Sequence, residues 1–97
     1  MATYISLVNY TEQGIKAIKE SPNRVDAVRA LAKSLGGEMN DLYLTMGSYD
    51  IVAISEFPDA EAAAKFALKL GSLGNIRTTT LQAFNEEQFR KIVSEIP

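Results

Sequence analysis

Apolar residues recur with two different periods along this chain, and the changes of period mark its elements. Thr3 to Tyr10 is a run of β-branched and aromatic residues and predicts a strand. Thr11 is placed to cap a short helix that carries Ile15 and Ile18. Ser21 as N-cap and Pro22 as first helical residue restart the helix. Val25, Val28, Leu31, Ala32 and Leu35 then fall at helical spacing, with Arg24, Asp26, Arg29 and Lys33 elsewhere around the axis. Gly36 and Gly37 end that helix. Glu38 to Met46 predicts a second strand, with Leu42, Leu44 and Met46 on one face and Tyr43 and Thr45 on the other. Asp50 to Phe57 predicts a third. Its Ile51-Val52-Ala53-Ile54 run is apolar on both faces, as in a strand covered on both sides. Only Gly47, Ser48 and Tyr49 separate these two strands, so they are expected to form a hairpin.

Asp59, after Pro58, is the expected N-cap of the next helix, whose buried stripe is Ala63, Phe66, Ala67 and Leu70 and whose end is bounded by Gly71 and Gly74. Asn75 to Phe84 predicts a fourth strand with three successive threonines. Asn85 and Gln88 make a variant capping box, with Phe84 and Phe89 placed as its hydrophobic staple. Phe89, Ile92, Val93 and Ile96 give the last helix an apolar face that a monomer has little left to cover. The order β-α-β-β-α-β-α predicts an α+β, ferredoxin-like βαββαβ sandwich with an additional C-terminal helix. Two helices would cover one face of an antiparallel sheet. The other face would be bare and largely apolar, which predicts a partner.

Composition narrows the chemistry. The chain has 97 residues, room for one domain spanning 1–97, and no linker or repeat divides it. A formal net charge of −2 and the absence of any long basic run argue against nucleic acid and anionic membrane as partners. There is no Cys and no His. That removes thiolate nucleophiles, the commonest metal ligands and the commonest general base near neutral pH. No carboxylate cluster has metal-ligand spacing, so neither a metal nor a cofactor is expected. The first residues carry no basic segment followed by an apolar core, and no apolar run approaches membrane-spanning length. A cytoplasmic protein is the expectation by default.

The stretch Tyr43 to Asp59, YLTMGSYDIVAISEFPD, carries the resemblance to a known family. With YTEQGIKAIKESPNR (Tyr10 to Arg24), LGGEMNDLYLTMGSYDIV (Leu35 to Val52), FPDAEAAAKFAL (Phe57 to Leu68) and LGNIRTTTLQAF (Leu73 to Phe84), the chain resembles the GYD-domain family over nearly its whole length. Gly47, Tyr49 and Asp50 occupy the naming motif, with Ser48 between them. The resemblance implies a dimeric α/β-barrel arrangement and no established activity. A weaker likeness is to the effector-binding domain of leucine-responsive regulators, which also has a Gly-x-Tyr-Asp hairpin and binds its effector between subunits. No helix-turn-helix segment is present here, so DNA binding is not implied.

Each polar constellation has a structural explanation beside a functional one. Gly47 permits a positive φ, Asp50 accepts from turn amides and Tyr49 covers a strand end, which together describe a structural turn. Tyr49 and Asp50 are also a donor and an acceptor able to line a pocket. Lys16, Lys19 and Arg24 lie near helix starts, where an anion would be favoured, although a solvated face shared with Glu12 and Glu20 is the preferred reading. Arg77 and Thr79 share one face of the fourth strand, with Arg77 placed to pair with Asp50 or Glu56. The expected function is a homo-oligomeric binding or assembly module, at least a dimer. A small polar or anionic organic ligand would be held by Lys16, Arg24, Tyr49 and Asp50. The alternative is a cofactor-independent enzyme acting on a small organic substrate, by analogy of fold alone. An effector-sensing subunit, whose output domain lies on another chain, is a third reading.

Overall fold

A computed structural model describes all of residues 1–97. Four strands, β1 (Ala2–Tyr10), β2 (Glu38–Leu44), β3 (Ile51–Phe57) and β4 (Ile76–Ala83), form one sheet in the order β2-β3-β1-β4. Every neighbouring pair is antiparallel. The helices are α1 (Glu12–Lys16), α2 (Ser21–Ser34), α3 (Ala60–Ser72) and α4 (Glu86–Ser94). The α+β, ferredoxin-like expectation holds, including the additional C-terminal helix.

Local chemistry explains most boundaries. Thr11 caps α1, its hydroxyl accepting from the Gly14 N–H at 3.1 Å. Asp59 caps α3 by accepting from the Ala62 N–H at 2.8 Å. Asn85 and Gln88 complete a reciprocal capping box at α4. At the end of α2, Gly36 (φ +80°) reverses the chain while the Gly36 and Gly37 N–H groups donate to Lys33 and Ala32. Ser21 departs from expectation. A 3₁₀ turn over Ile18–Glu20 runs straight into α2, so Glu20 is the N-cap and the Ser21 hydroxyl hydrogen-bonds the Tyr10 hydroxyl at 2.8 Å. Strand β2 ends at Leu44 and β3 begins at Ile51, so the hairpin loop is longer than three residues.

Strand alternation divides the sheet. Tyr4, Ser6 and Val8 of β1 face the helices with Ile51, Ala53, Ser55 and Phe57 of β3, and all are buried. The core is off-centre. Tyr4, Phe57, Phe66, Ala32, Ala62, Ala63 and Leu70 cluster towards the Tyr4–Phe57 end. The Phe57 and Phe66 rings lie 5.0 Å apart, and Tyr4 meets Phe57 edge-on at 6.1 Å.

The opposite face is uncovered. Cross-strand register aligns Leu81, Ile5 and Ile54 in one row and Leu7, Val52 and Tyr43 in the next. Tyr43 is 56% and Leu81 47% exposed. The shortest dimension of the chain, 18 Å, is the depth of one sheet and one helical layer. Helix α4 makes only glancing contact with the other elements, leaving Phe89, Ile92, Val93 and Ile96 exposed.

Candidate functional site

Between the sheet and the α2–α3 layer, at the end away from the aromatic core, lies a cleft of about 430 Å³. Val8 and Tyr10 of β1, Ile51 and Ala53 of β3, and Ile76 and Thr78 of β4 supply its sheet side. Val25, Val28 and Leu31 of α2 and Phe66 and Leu70 of α3 supply its helical side. Alternation places the strand residues there, because Val8 pairs with Ile51 and Thr78 and all three point to the helices.

The hairpin loop is tied to one end of this layer. The Asp50 N–H donates to the Val8 carbonyl at 2.9 Å, and the Asp50 Oδ2 accepts from the Tyr10 N–H at 2.9 Å. Within the loop, the Thr45 hydroxyl donates to the Tyr49 carbonyl at 2.6 Å, and the Thr45 N–H to the Asp50 carbonyl at 2.8 Å. Gly47 has φ +148°, a conformation that disfavours any residue with a Cβ.

The four residues expected to hold a ligand are dispersed. Arg24 lines the cleft, its Nη2 donating to the Ala17 carbonyl at 3.0 Å. Lys16 lies outside the cleft wall, in an exposed pair with Glu12 at 3.1 Å. Tyr49 and Asp50 also lie outside it, with the Asp50 carboxylate engaged by Tyr10. Arg77 forms no ion pair: Glu56 accepts from Asn40 at 2.8 Å, and the register partner of Arg77 is Asn9. Sequence reasoning did not single out Lys69, Ser6, Ser55 or Asn75, all of which line the cleft. Alternation with Tyr4 and Val8 was the available signal for Ser6, and the spacing Phe66–Lys69–Leu70 the signal for Lys69.

Gly14 answers to a different constraint. A Cβ there would collide with the Asn75 carbonyl oxygen. The close approach is held by Thr11 N–H to Asn75 O at 3.0 Å, Thr11 Oγ1 to Gly74 O at 2.6 Å and Gln13 Nε2 to Asn75 Oδ1 at 2.9 Å. Residues 73–75 are thereby clamped at the rim of the cleft. No group of acidic side chains is arranged to hold a metal ion, and no helix is long and apolar enough to cross a membrane.

Comparison with known proteins agrees with this architecture. The chain is 33% identical over 84 residues to a protein of Thermus thermophilus named glutamine synthetase and cystathionine beta-lyase binding protein, covering 86% of this chain and 88% of that one. The crystal structure of TTHA0845, also from Thermus thermophilus, superposes with a TM-score of 0.56 at 28% identity, over 88% of this chain and 95% of that one. The crystal structure of FFRP-DM1 superposes with a TM-score of 0.63 at 17% identity, over 87% of this chain and all of that one. At that identity the likeness to leucine-responsive regulators is one of fold. The family model described as GYD domain matches residues 4–93, and the chain belongs to the GYD-domain family.

Proposed function

We propose that this chain is a small assembly module that associates with a second copy of itself through the open face of its sheet. The observation that carries the reading is the block of Ile5, Leu7, Val52, Ile54, Leu81 and Tyr43, which no element of the chain covers. Charge supports a second copy as the occupant. Glu38, Glu56 and Asp41 gather at one corner of this face, and Arg77 stands at the diagonally opposite corner. A twofold axis midway between two facing sheets, parallel to them and running along the other diagonal, sets the basic corner of one copy against the acidic corner of the next. The exposed stripe of α4 is a further surface for the same assembly. The name of the Thermus thermophilus relative, a binding protein for two enzymes, supports a role in protein association.

Light scattering after size exclusion tests this at micromolar concentration. The wild type should elute as at least a dimer. Ile54→Lys, at the centre of the open face, should yield a folded monomer by circular dichroism. A wild type that is a well-folded monomer at that concentration overturns the proposal.

A further inference from the structure

We infer that the helix–sheet cleft is a binding site for a small organic carboxylate, its apolar body inside and its carboxylate at the rim against Arg24 and Lys69. Size is the first argument. Cores of native proteins leave few voids larger than a water molecule. This cleft, at about 430 Å³ in a chain of 97 residues, is on the scale of small-molecule sites, roughly 300–1,000 Å³. Fourteen of its twenty-one lining residues are hydrophobic, which suits an apolar body.

Charge is the second argument. Arg24 and Lys69 line the cleft and no Asp or Glu does, although the chain carries more acidic than basic residues. The three ion pairs of the chain are Lys16–Glu12, Lys65–Glu61 and Arg90–Glu86, so neither cation has a carboxylate partner. Arg24 is half-buried and Lys69 exposed, which puts both at the rim. One nitrogen of the Arg24 guanidinium is held by the Ala17 carbonyl, and its remaining N–H donors are open to a ligand.

The floor is the third. Ser6 and Ser55 are 8% and 3% exposed and line the cleft from adjacent strands. Neither hydroxyl has a hydrogen-bond partner in the chain, yet no polar side-chain atom is sealed away without one. The two serines border this cleft and a smaller adjoining void beside Tyr4 and Phe57, and on the cleft side their hydroxyls would meet a hydrogen-bonding group at the far end of the ligand.

The test compares 2-naphthoate with the neutral 2-naphthamide, which share a body and differ in charge. The chain has no Trp, so naphthalene fluorescence excited on the long-wavelength side of the tyrosine band reports binding. Naphthoate should bind about tenfold tighter or more, and Arg24→Met with Lys69→Met should bring the two affinities together. Bound naphthoate should shift the methyl resonances of Val28, Leu31 and Ile51 and spare Ile5, Ile54 and Leu81. Ile54→Lys should bind as the wild type does, so that failure of assembly and failure of this site are read separately. Three results overturn the inference: no binding of either compound, an advantage of naphthoate that survives the double substitution, or shifts at Ile5, Ile54 and Leu81. Binding that emerges only when residues 86–97 are removed also overturns it, because α4 of another copy would then be the occupant.

Discussion

The carboxylate of Asp50 accepts a hydrogen bond from the backbone N–H of Tyr10, forty residues away in sequence, at 2.9 Å. The hairpin tip is thereby fastened to the end of β1, just where the strand gives way to α1. One end of the bond is charged and the site is partly buried, so the contact should matter to stability. Asp50→Ala leaves the Tyr10 N–H without its partner and should cost about 1–3 kcal/mol in urea denaturation. Asp50→Asn keeps an acceptor and should cost less. An Ala variant as stable as wild type would rule out this fastening role.

Gly14 and Gly71 should respond to the same substitution with opposite signs. At Gly14 a methyl group meets the Asn75 backbone, in a segment that Thr11 and Gln13 hold by four hydrogen bonds and that cannot simply swing aside. Gly14→Ala should destabilise by about 1–3 kcal/mol or more. Gly71 lies within α3 with open space around it, and Gly71→Ala should stabilise by about 0.5–1 kcal/mol. Melting temperatures that move in the same direction for both would refute the distinction.

Gly47 separates backbone strain from crowding. Nothing lies within 4 Å of where its Cβ would stand, so the only cost of Gly47→Ala is the unfavourable φ of +148°. A loss of about 1 kcal/mol is expected by chemical denaturation. A neutral result would mean that the loop relaxes freely, and the turn explanation for this glycine would fall.

Helix α4 should contribute to association and hardly to the fold of one copy. Phe89→Ser with Ile92→Ser removes exposed apolar surface, at 59% and 45% exposure, that touches little else in the chain. Under dilute conditions where a single copy prevails, the thermal midpoint should stay close to wild type. The concentration dependence of that midpoint should weaken. A large fall in the dilute midpoint would show instead that α4 folds back onto its own sheet.

Local signals are legible in proportion to how local they are. Thr11, Asp59 and Asn85 cap helices through hydrogen bonds that close within three residues, so the motif contains the whole interaction. Alternation likewise gives the two faces of β3 and the bare apolar face, because a strand of period two needs no knowledge of its neighbours. Ser21 reads as an N-cap and is not one. Its partner is Tyr10, on another element, and the 3₁₀ turn before it already supplies the chain direction. The candidate cleft is harder still. Its walls come from α2, α3 and all four strands at once, and no single residue announces a space that so many elements share. Lys69 is spelled like any cation in the last turn of a helix, and only the fold brings it to the same cleft as Arg24.

The place of β1 has a consequence for the chain as it leaves the ribosome. It precedes the other three strands of its sheet in the chain and lies inside that sheet, with β3 on one side and β4 on the other. Thr3 waits for Glu56 on one flank and for Ala83 on the other. Until Ile76 to Ala83 has cleared the exit tunnel, one whole edge of β1 is an unpaired backbone bordered by Ile5 and Leu7. Completion of the sheet thus waits for β4, and closure depends on pairing between strands far apart in sequence. A nascent chain arrested before β4 presents a sticky strand edge, the kind of surface that chaperones shield.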